Sequence, residues 1–270
     1  MSDIIVIPAR YGSKRLPGKP LIKIAGISLL QRVISIAIQA KSIISDLEVV
    51  VATDDERIAA HCDELNVKSV ITSTNISSGS ERALATCEML NKKPEFIINL
   101  QGDAPFITPE CILQMITVAR KNKYDVTTPI KQLSWDELES LRAQKKETPF
   151  SGTTCVRSDA GQAYWFSKNI IPAIRSEDKL RESGDLSPVF QHIGLYCYRY
   201  DVLKRYQNTI ESSYEILEGL EQLRLLQMGV GIQTVMVESG KNIMSGIDSP
   251  LDLEKAENFI EKHGDPYVQW

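Results

Sequence analysis

The segment Pro8-Ala-Arg-Tyr-Gly-Ser-Lys-Arg-Leu-Pro-Gly-Lys-Pro-Leu21 gathers four cations, Arg10, Lys14, Arg15 and Lys19, around Gly12 and Gly18. Glycines let backbone amides approach an anion and Arg and Lys neutralise it, so the segment suits a polyphosphate. It is neither a Walker A loop nor a GxGxxG turn, which removes support for P-loop hydrolysis and for dinucleotide binding. A solvated basic loop is the plain alternative. Two Gly and two Pro at the end of the first strand argue against it. A second constellation, Asn99-Leu-Gln-Gly-Asp-Ala-Pro105, sets Asp103 just beyond another strand. A carboxylate there, facing a phosphate loop, can hold a hard divalent cation such as Mg²⁺, although Gly-Asp is also an ordinary turn pair. The third is Ser245-Gly-Ile-Asp248, ahead of the last helix. Asp248 reads either as a helix-flanking residue or as the metal partner of Asp103.

These residues need elements to position them. Residues 3–8 are a β-branched run suited to a strand buried on both faces. Residues 28–41 carry apolar side chains at helical spacing, with Ser28 as N-cap. Strands at 47–52, 67–72, 96–100 and 125–130 alternate with helices at 54–65, 80–90 and 109–121. That alternation predicts βαβ units and a mostly parallel sheet, with the ligand crevice beyond the carboxyl ends of the strands. The rhythm breaks after Ile130. Residues 131–149 read as polar, 152–157 and 162–166 as antiparallel strands, and 176–188 as a charged surface loop. It resumes with strands at 193–198 and 232–237 and helices at 214–228 and 249–263. The expectation is one domain over 1–270, with an inserted subdomain at about 131–190 that covers a ligand or pairs two subunits.

Composition narrows the function. Hydrophobic residues make up 43% and charged residues 24% of 270 residues, which excludes disordered, collagen-like and coiled-coil classes. A net charge of −4 lacks the basic footprint of a general nucleic-acid binder. No apolar run is long enough to insert in a membrane, and the N-terminus has no basic region followed by a cleavage site. Five scattered cysteines without CxxC spacing read as buried thiols in a reducing cytoplasm.

The first loop resembles the signature of sugar-activating cytidylyltransferases, most closely those that act on 3-deoxy-manno-octulosonate (KDO). The likeness continues through Val51-Ala-Thr-Asp-Asp-Glu-Arg57, Ser78-Gly-Ser-Glu-Arg82, Leu100-Gln-Gly-Asp103, His192-Ile-Gly-Leu-Tyr-Cys-Tyr198, Leu220-Glu-Gln-Leu-Arg-Leu-Leu226 and Gly246-Ile-Asp-Ser-Pro250. Each motif is weak alone; in this order they cover nearly the whole chain. The resemblance implies a three-layer, Rossmann-like nucleotide-diphospho-sugar transferase fold with a mostly parallel sheet and an inserted dimerisation subdomain. It implies that CTP and an eight-carbon acidic sugar give a CMP-sugar and pyrophosphate, with Mg²⁺ as cofactor and a homodimer as the working form. The matching positions assign nucleotide binding to Ala9, Arg10, Gly12, Ser13, Arg15, Lys19, Ser80, Arg82 and Gln101. Sugar binding falls to Gln101, His192, Tyr196, Glu221 and Gln222, metal binding to Asp103 and Asp248, and catalysis to Arg10, Lys19 and Asp103.

Without the family, His192 beside an apolar strand reads as a core histidine. Glu218, Glu221 and Gln222 at i, i+3 and i+4 read as one solvated helix face. Tyr164, Trp165 and Phe166 read as exposed aromatics for a dimer interface. Three positions depart from the family pattern. Ala104 stands where it usually has Glu, Phe150-Ser-Gly-Thr-Thr-Cys-Val156 lacks its lysine, and Phe166-Ser-Lys168 ends in Lys in place of Arg. These leave the acidic sugar open between KDO, 8-amino KDO, sialic acid and another ulosonic acid.

Overall fold

A computed structural model describes residues 2–12, 16–122, 124–237 and 246–270. In chain order the elements are β1 (Asp3–Ala9), β2 (Lys23–Ile24), β3 (Ile27–Ser28), α1 (Leu29–Ile43), β4 (Leu47–Thr53), α2 (Glu56–Glu64), β5 (Ser69–Ile71) and α3 (Gly79–Met89). Then come β6 (Phe96–Asn99), α4 (Pro109–Asn122), β7 (Val126–Ser134), α5 (Trp135–Glu147), β8 (Thr154–Arg157), β9 (Ala163–Ser167), α6 (Glu177–Glu182) and β10 (Leu186–His192). The chain finishes with β11 (Tyr196–Arg199), α7 (Tyr200–Gln207), α8 (Ser213–Glu218), α9 (Gln222–Gln227), β12 (Ile232–Met236) and α10 (Pro250–His263).

Apart from the short β2–β3 pair, the strands form one sheet in the order β5-β4-β1-β6-β11-β7-β10-β8-β9, with β12 also paired to β7. β5, β4, β1 and β6 run parallel, as β12 does to β7. β11 is antiparallel to both its neighbours, and β8, β9 and β10 are antiparallel too. Strand side chains alternate between faces. Ile5, Ile7, Val49, Val51 and Ile98 pack under α1, α2 and α4, while Ile4, Val6, Val50, Ala52 and Ile97 pack under α3, α7 and α9. Two apolar layers on one sheet are the α/β class expected, with helices on both faces. Ser28 caps α1 as anticipated, its hydroxyl accepting from the Gln31 amide.

Three local expectations are corrected. Residues 131–149 are not a polar connection: β7 runs on to Ser134, and α5 follows with a Ser134–Glu137 capping box. Trp135, Leu138 and Leu141 of that charged helix bury against Leu133 and Val189. Residues 176–188 are not one surface loop either, since they contain α6 and the start of β10. The single helix expected at 214–228 is two, because Gly219 takes φ +63 and ends α8. A left-handed residue closes a helix by satisfying its last carbonyls, and glycine adopts it without strain. β8, β9 and β10 extend the central sheet. All five cysteines are free and buried, as expected, and no helix among the described residues is long and apolar enough to cross a membrane.

Candidate active site

The first loop leaves β1 at its carboxyl end and folds back on itself. Gly18, at φ +69, donates its amide to the Tyr11 carbonyl at 3.0 Å, and the Lys19 amide donates to Leu16 O at 3.0 Å. The Arg57 guanidinium lies 3.3 Å over the Tyr11 ring. This closure aims Lys19 inward, while Arg10 stays exposed on the same rim. Around Gly12 no heavy atom of the described residues lies within 4 Å of where a Cβ would stand. Ser13, Lys14 and Arg15 lie outside the described residues.

Asp103 sits beyond the end of β6, parallel neighbour of β1. The Gln101-Gly102-Asp103 turn passes so close to β1 that a Cβ on Gly102 would come within 2.5 Å of the Pro8 carbonyl oxygen. Only glycine lets the backbones approach this far. The segment ahead of α10 then lies against Asp103: the Ile247 amide donates to Asp103 O at 2.8 Å. Both carboxylates converge on Lys19, whose Nζ is 2.6 Å from Asp103 Oδ2 and 3.1 Å from Asp248 Oδ1. Burial alone would lower the Lys19 ammonium; Asp103 and then Asp248 outweigh it and hold it above its ordinary value. Two hard carboxylates already gathered around one cation fit Mg²⁺, with substrate phosphates and water completing an oxygen shell. Among the described residues no third His, Cys, Asp or Glu joins them.

Two cavities meet here. The smaller, 480 Å³, is walled by Ala9, Arg10, Gly12, Lys19 and Arg82. The larger, 500 Å³, is walled by Lys131, Lys168, His192, Tyr196, Glu221 and Gln222. Gly79, Gln101, Asp103 and Asp248 belong to both.

The larger cavity brings together every residue expected to touch the sugar. His192 Nε2 is 2.8 Å from Thr128 Oγ1, whose own proton goes to the Leu195 carbonyl at 2.8 Å. Nε2 is therefore the donor and Nδ1 carries the lone pair. Burial, with Lys168 nearby, pushes the imidazole down to about 3, so it is neutral at physiological pH. His192 is a cavity wall and not only a core histidine. Tyr196 is buried, stacked on Tyr198 with centroids 5.2 Å apart. Glu221 lies at the start of α9, after the break at Gly219, so Glu218 and Glu221 are not on one continuous helix face. Glu218 instead accepts from Ser167 Oγ at 2.9 Å and from the Lys168 amide at 2.7 Å. Burial raises the Glu221 carboxyl to about 7. Gln222 is buried, and among the described residues its Nε2 has no hydrogen-bond partner, a donor available to a ligand.

Two expected nucleotide residues sit deeper. Arg82 is 1% exposed and bonds Thr72 Oγ1, Asp54 Oδ2 and the Ile76 carbonyl. Ser80 is fully buried, borders neither cavity, and makes its contacts with Asn99, Tyr198 and Glu221. Sequence reasoning missed Lys131, Gln191 and Thr153 on the wall of the larger cavity. Gln191 pairs with Lys131 on one side and Thr154 on the other, a register that no local motif announces. Lys168 was visible as the end of Phe166-Ser-Lys168. Its ammonium is lowered by burial, against the pull of Glu218 and Asp248, and it donates to Thr153 Oγ1 at 3.2 Å. Ala104 adds no carboxylate at Asp103; it is buried against the core.

A family model described as cytidylyltransferase matches residues 4–235. A 3-deoxy-manno-octulosonate cytidylyltransferase of Maricaulis maris is 38% identical over 98% of this chain and 99% of its own. One of Vibrio parahaemolyticus is 35% identical, over 97% and 99%. The solved structure of a CMP:2-keto-3-deoxy-manno-octonic acid synthetase complexed with CTP superposes with a TM-score of 0.82 at 32% identity, covering 97% of this chain and 99% of that one. A 4-diphosphocytidyl-2C-methyl-D-erythritol synthase from Anaerococcus prevotii, 13% identical with a TM-score of 0.58 and 96% of each chain covered, shares the fold. The family model covers most of the chain and relatives of matching length at 35–38% identity carry one name: the chain belongs to the cytidylyltransferase family, among the 3-deoxy-manno-octulosonate cytidylyltransferases.

Proposed function

We propose that this chain couples CTP to KDO, forming CMP-KDO and releasing pyrophosphate. The observation that carries the reading is the common wall of the two cavities, Gly79, Gln101, Asp103 and Asp248, with Arg10, Lys19 and Arg82 on one side and a mixed wall of Lys131, Lys168, His192, Glu221 and Gln222 on the other. In-line transfer needs the attacking hydroxyl and the leaving pyrophosphate on opposite sides of one phosphorus. Two adjoining cavities that share a carboxylate pair support such a placement, with one substrate in each. The triphosphate lies against Arg10 and Lys19, whose charges offset what builds up on the leaving pyrophosphate. On the other side the sugar's hydroxyls meet Nδ1 of His192, the Glu221 carboxylate and the Gln222 amide. Its carboxylate meets the ammonium of Lys168, with Lys131 on the same wall. Gln101, bordering both cavities, holds the anomeric hydroxyl near the α-phosphate. Asp103 and Asp248 would hold Mg²⁺, which when bound neutralises phosphate charge and polarises the α-phosphate.

The working form in this reading is a homodimer in the cytoplasm, where five free thiols persist. Tyr164 of β9 and Tyr214, Ile216 and Leu217 on and beside α8 are exposed, and Tyr214 stands edge-on to Trp165 at 5.1 Å. Of the three aromatics expected to be exposed, Tyr164 is exposed, Trp165 half-buried and Phe166 in the core.

The test supplies CTP and Mg²⁺ with KDO, 8-amino KDO or sialic acid and follows pyrophosphate. The expected outcome is fastest release with KDO. Faster release with another acidic sugar reassigns the substrate, and no release with any overturns the reaction.

A further inference from the structure

Ser80 has a full set of hydrogen bonds, all to protein groups, and borders neither cavity itself. Its hydroxyl donates to Glu221 Oε1 at 3.0 Å. Asn99 Nδ2 donates to it at 3.2 Å, and the Tyr198 hydroxyl lies at 3.2 Å. A serine hydroxyl has one proton and two lone pairs. With the proton given to Glu221, Asn99 and Tyr198 are the donors that fill the lone pairs, and Ser80, fully buried, has nothing left for a ligand. Glu221, by contrast, walls the larger cavity.

We infer that Ser80 is a positioning residue for the sugar: it fixes the carboxylate of Glu221 and touches neither nucleotide nor sugar itself. This rests on the reaction proposed above. The preceding residue, Gly79, borders both cavities, so one turn of α3 serves the nucleotide through its backbone and the sugar through the Ser80 hydroxyl. Asn99 and Tyr198 stand behind Ser80 from β6 and β11, which ties the carboxylate to the rigid centre of the sheet.

Charge around Glu221 makes the contact count. Glu215 of α8 and Glu81 of α3 oppose its ionisation and Arg224 of α9 favours it. The hydroxyls of Tyr196, Tyr198 and Tyr206 also face it, from β11 and α7. Burial raises the carboxyl and the Ser80 hydrogen bond is the foremost influence that lowers it. Losing that bond leaves a carboxylate that is both free to rotate and harder to ionise, and an un-ionised carboxyl is a poorer acceptor for sugar hydroxyls.

The experiment is steady-state pyrophosphate release with CTP, KDO and Mg²⁺ for wild type, Ser80→Ala, Glu221→Gln and the double variant. Ser80→Ala is expected to raise the sugar KM on the order of tenfold, the scale of one hydrogen bond to a charged group, and to leave the CTP KM within about twofold. The pH midpoint of kcat/KM for the sugar moves up. In the Glu221→Gln background the serine change adds little, because contacting residues are not additive. Ser80→Cys, close in size but a weak hydrogen-bond donor, gives the same readings should the alanine variant fail to fold. A rise in the CTP KM with the sugar KM unchanged, an unmoved midpoint, or effects that multiply in the double variant overturn the positioning role. A wild-type enzyme that uses no acidic sugar overturns the reaction and this role with it.

Discussion

Lys19 stands between Asp103 and Asp248, with its Nζ 2.6 Å from one carboxylate and 3.1 Å from the other. One ammonium therefore links the phosphate loop after β1, the turn after β6 and the segment before α10. Lys19→Ala removes that link together with the charge-assisted partner proposed for the triphosphate. The expected outcome is a CTP KM raised on the order of tenfold or an equal fall in kcat, with Arg10→Ala acting in the same direction. CTP titration calorimetry and turnover together check it; both unchanged would make the loop a solvated basic loop.

Asp103→Asn and Asp248→Asn keep the shape of each side chain and remove its charge. Each is expected to lower turnover by about a hundredfold or more at limiting Mg²⁺, the scale of losing an anionic ligand from a catalytic cation, with the circular dichroism spectrum unchanged. Wild-type rates in both variants would remove the aspartates from the metal site.

Stability should bend with pH in two opposite ways. Burial holds His192 at about 3, against 6.5 in a free histidine. Between those values the unfolded chain binds more protons, so this residue's share of stability is lost as pH falls through that window. Burial holds Glu221 at about 7, against 4.5 when free. There the folded chain binds more protons, and its share is lost as pH rises from 4.5 through 7. Urea unfolding across pH 3–8 checks both. Glu221→Gln should flatten the loss on the alkaline side and His192→Gln the loss on the acid side.

The Glu215–Arg224 pair underlies α8 and α9, with contacts of 2.6 and 2.7 Å and both residues under 10% exposed. Glu215→Ala leaves the guanidinium buried without its carboxylate. A loss of about 3–5 kcal/mol in urea unfolding is expected, the usual cost of breaking a buried pair from one side.

Light scattering at micromolar concentration tests the assembly. A mass near twice 30.2 kDa is expected, and a mass near 30.2 kDa would make the chain a monomer. Leu217→Asp, on the exposed face of α8, should halve the mass without unfolding the chain.

Where the physics was local, the sequence was readable. Ser28 followed by apolar residues at helical spacing announced α1, and the β-branched run 3–8 announced the central strand. The placement of the loop after β1 and of Asp103 and Asp248 at neighbouring ends was legible because glycine and proline mark where a strand ends. α5 was missed because its buried side, Trp135, Leu138 and Leu141, is narrow on an otherwise charged helix. The Ser134–Glu137 capping box was the available signal. β10 was partly missed because its burial comes from β7 and β8 on either side and not from its own pattern. The position of Ser80 beneath Glu221 depends on a contact across 141 residues of chain, which residue type and spacing cannot specify.

Burial holds the thiols of Cys62, Cys87, Cys111 and Cys155 at about 12 and lifts that of Cys197 as well. Since the thiolate is the reactive species, the folded protein has almost no background toward maleimides. A single cysteine introduced at an exposed site such as Phe150 or Ile210 can carry a dye or spin label with all five native cysteines left in place. A label at Phe150 then reports on the surroundings of Gly152, a residue of the larger cavity's wall.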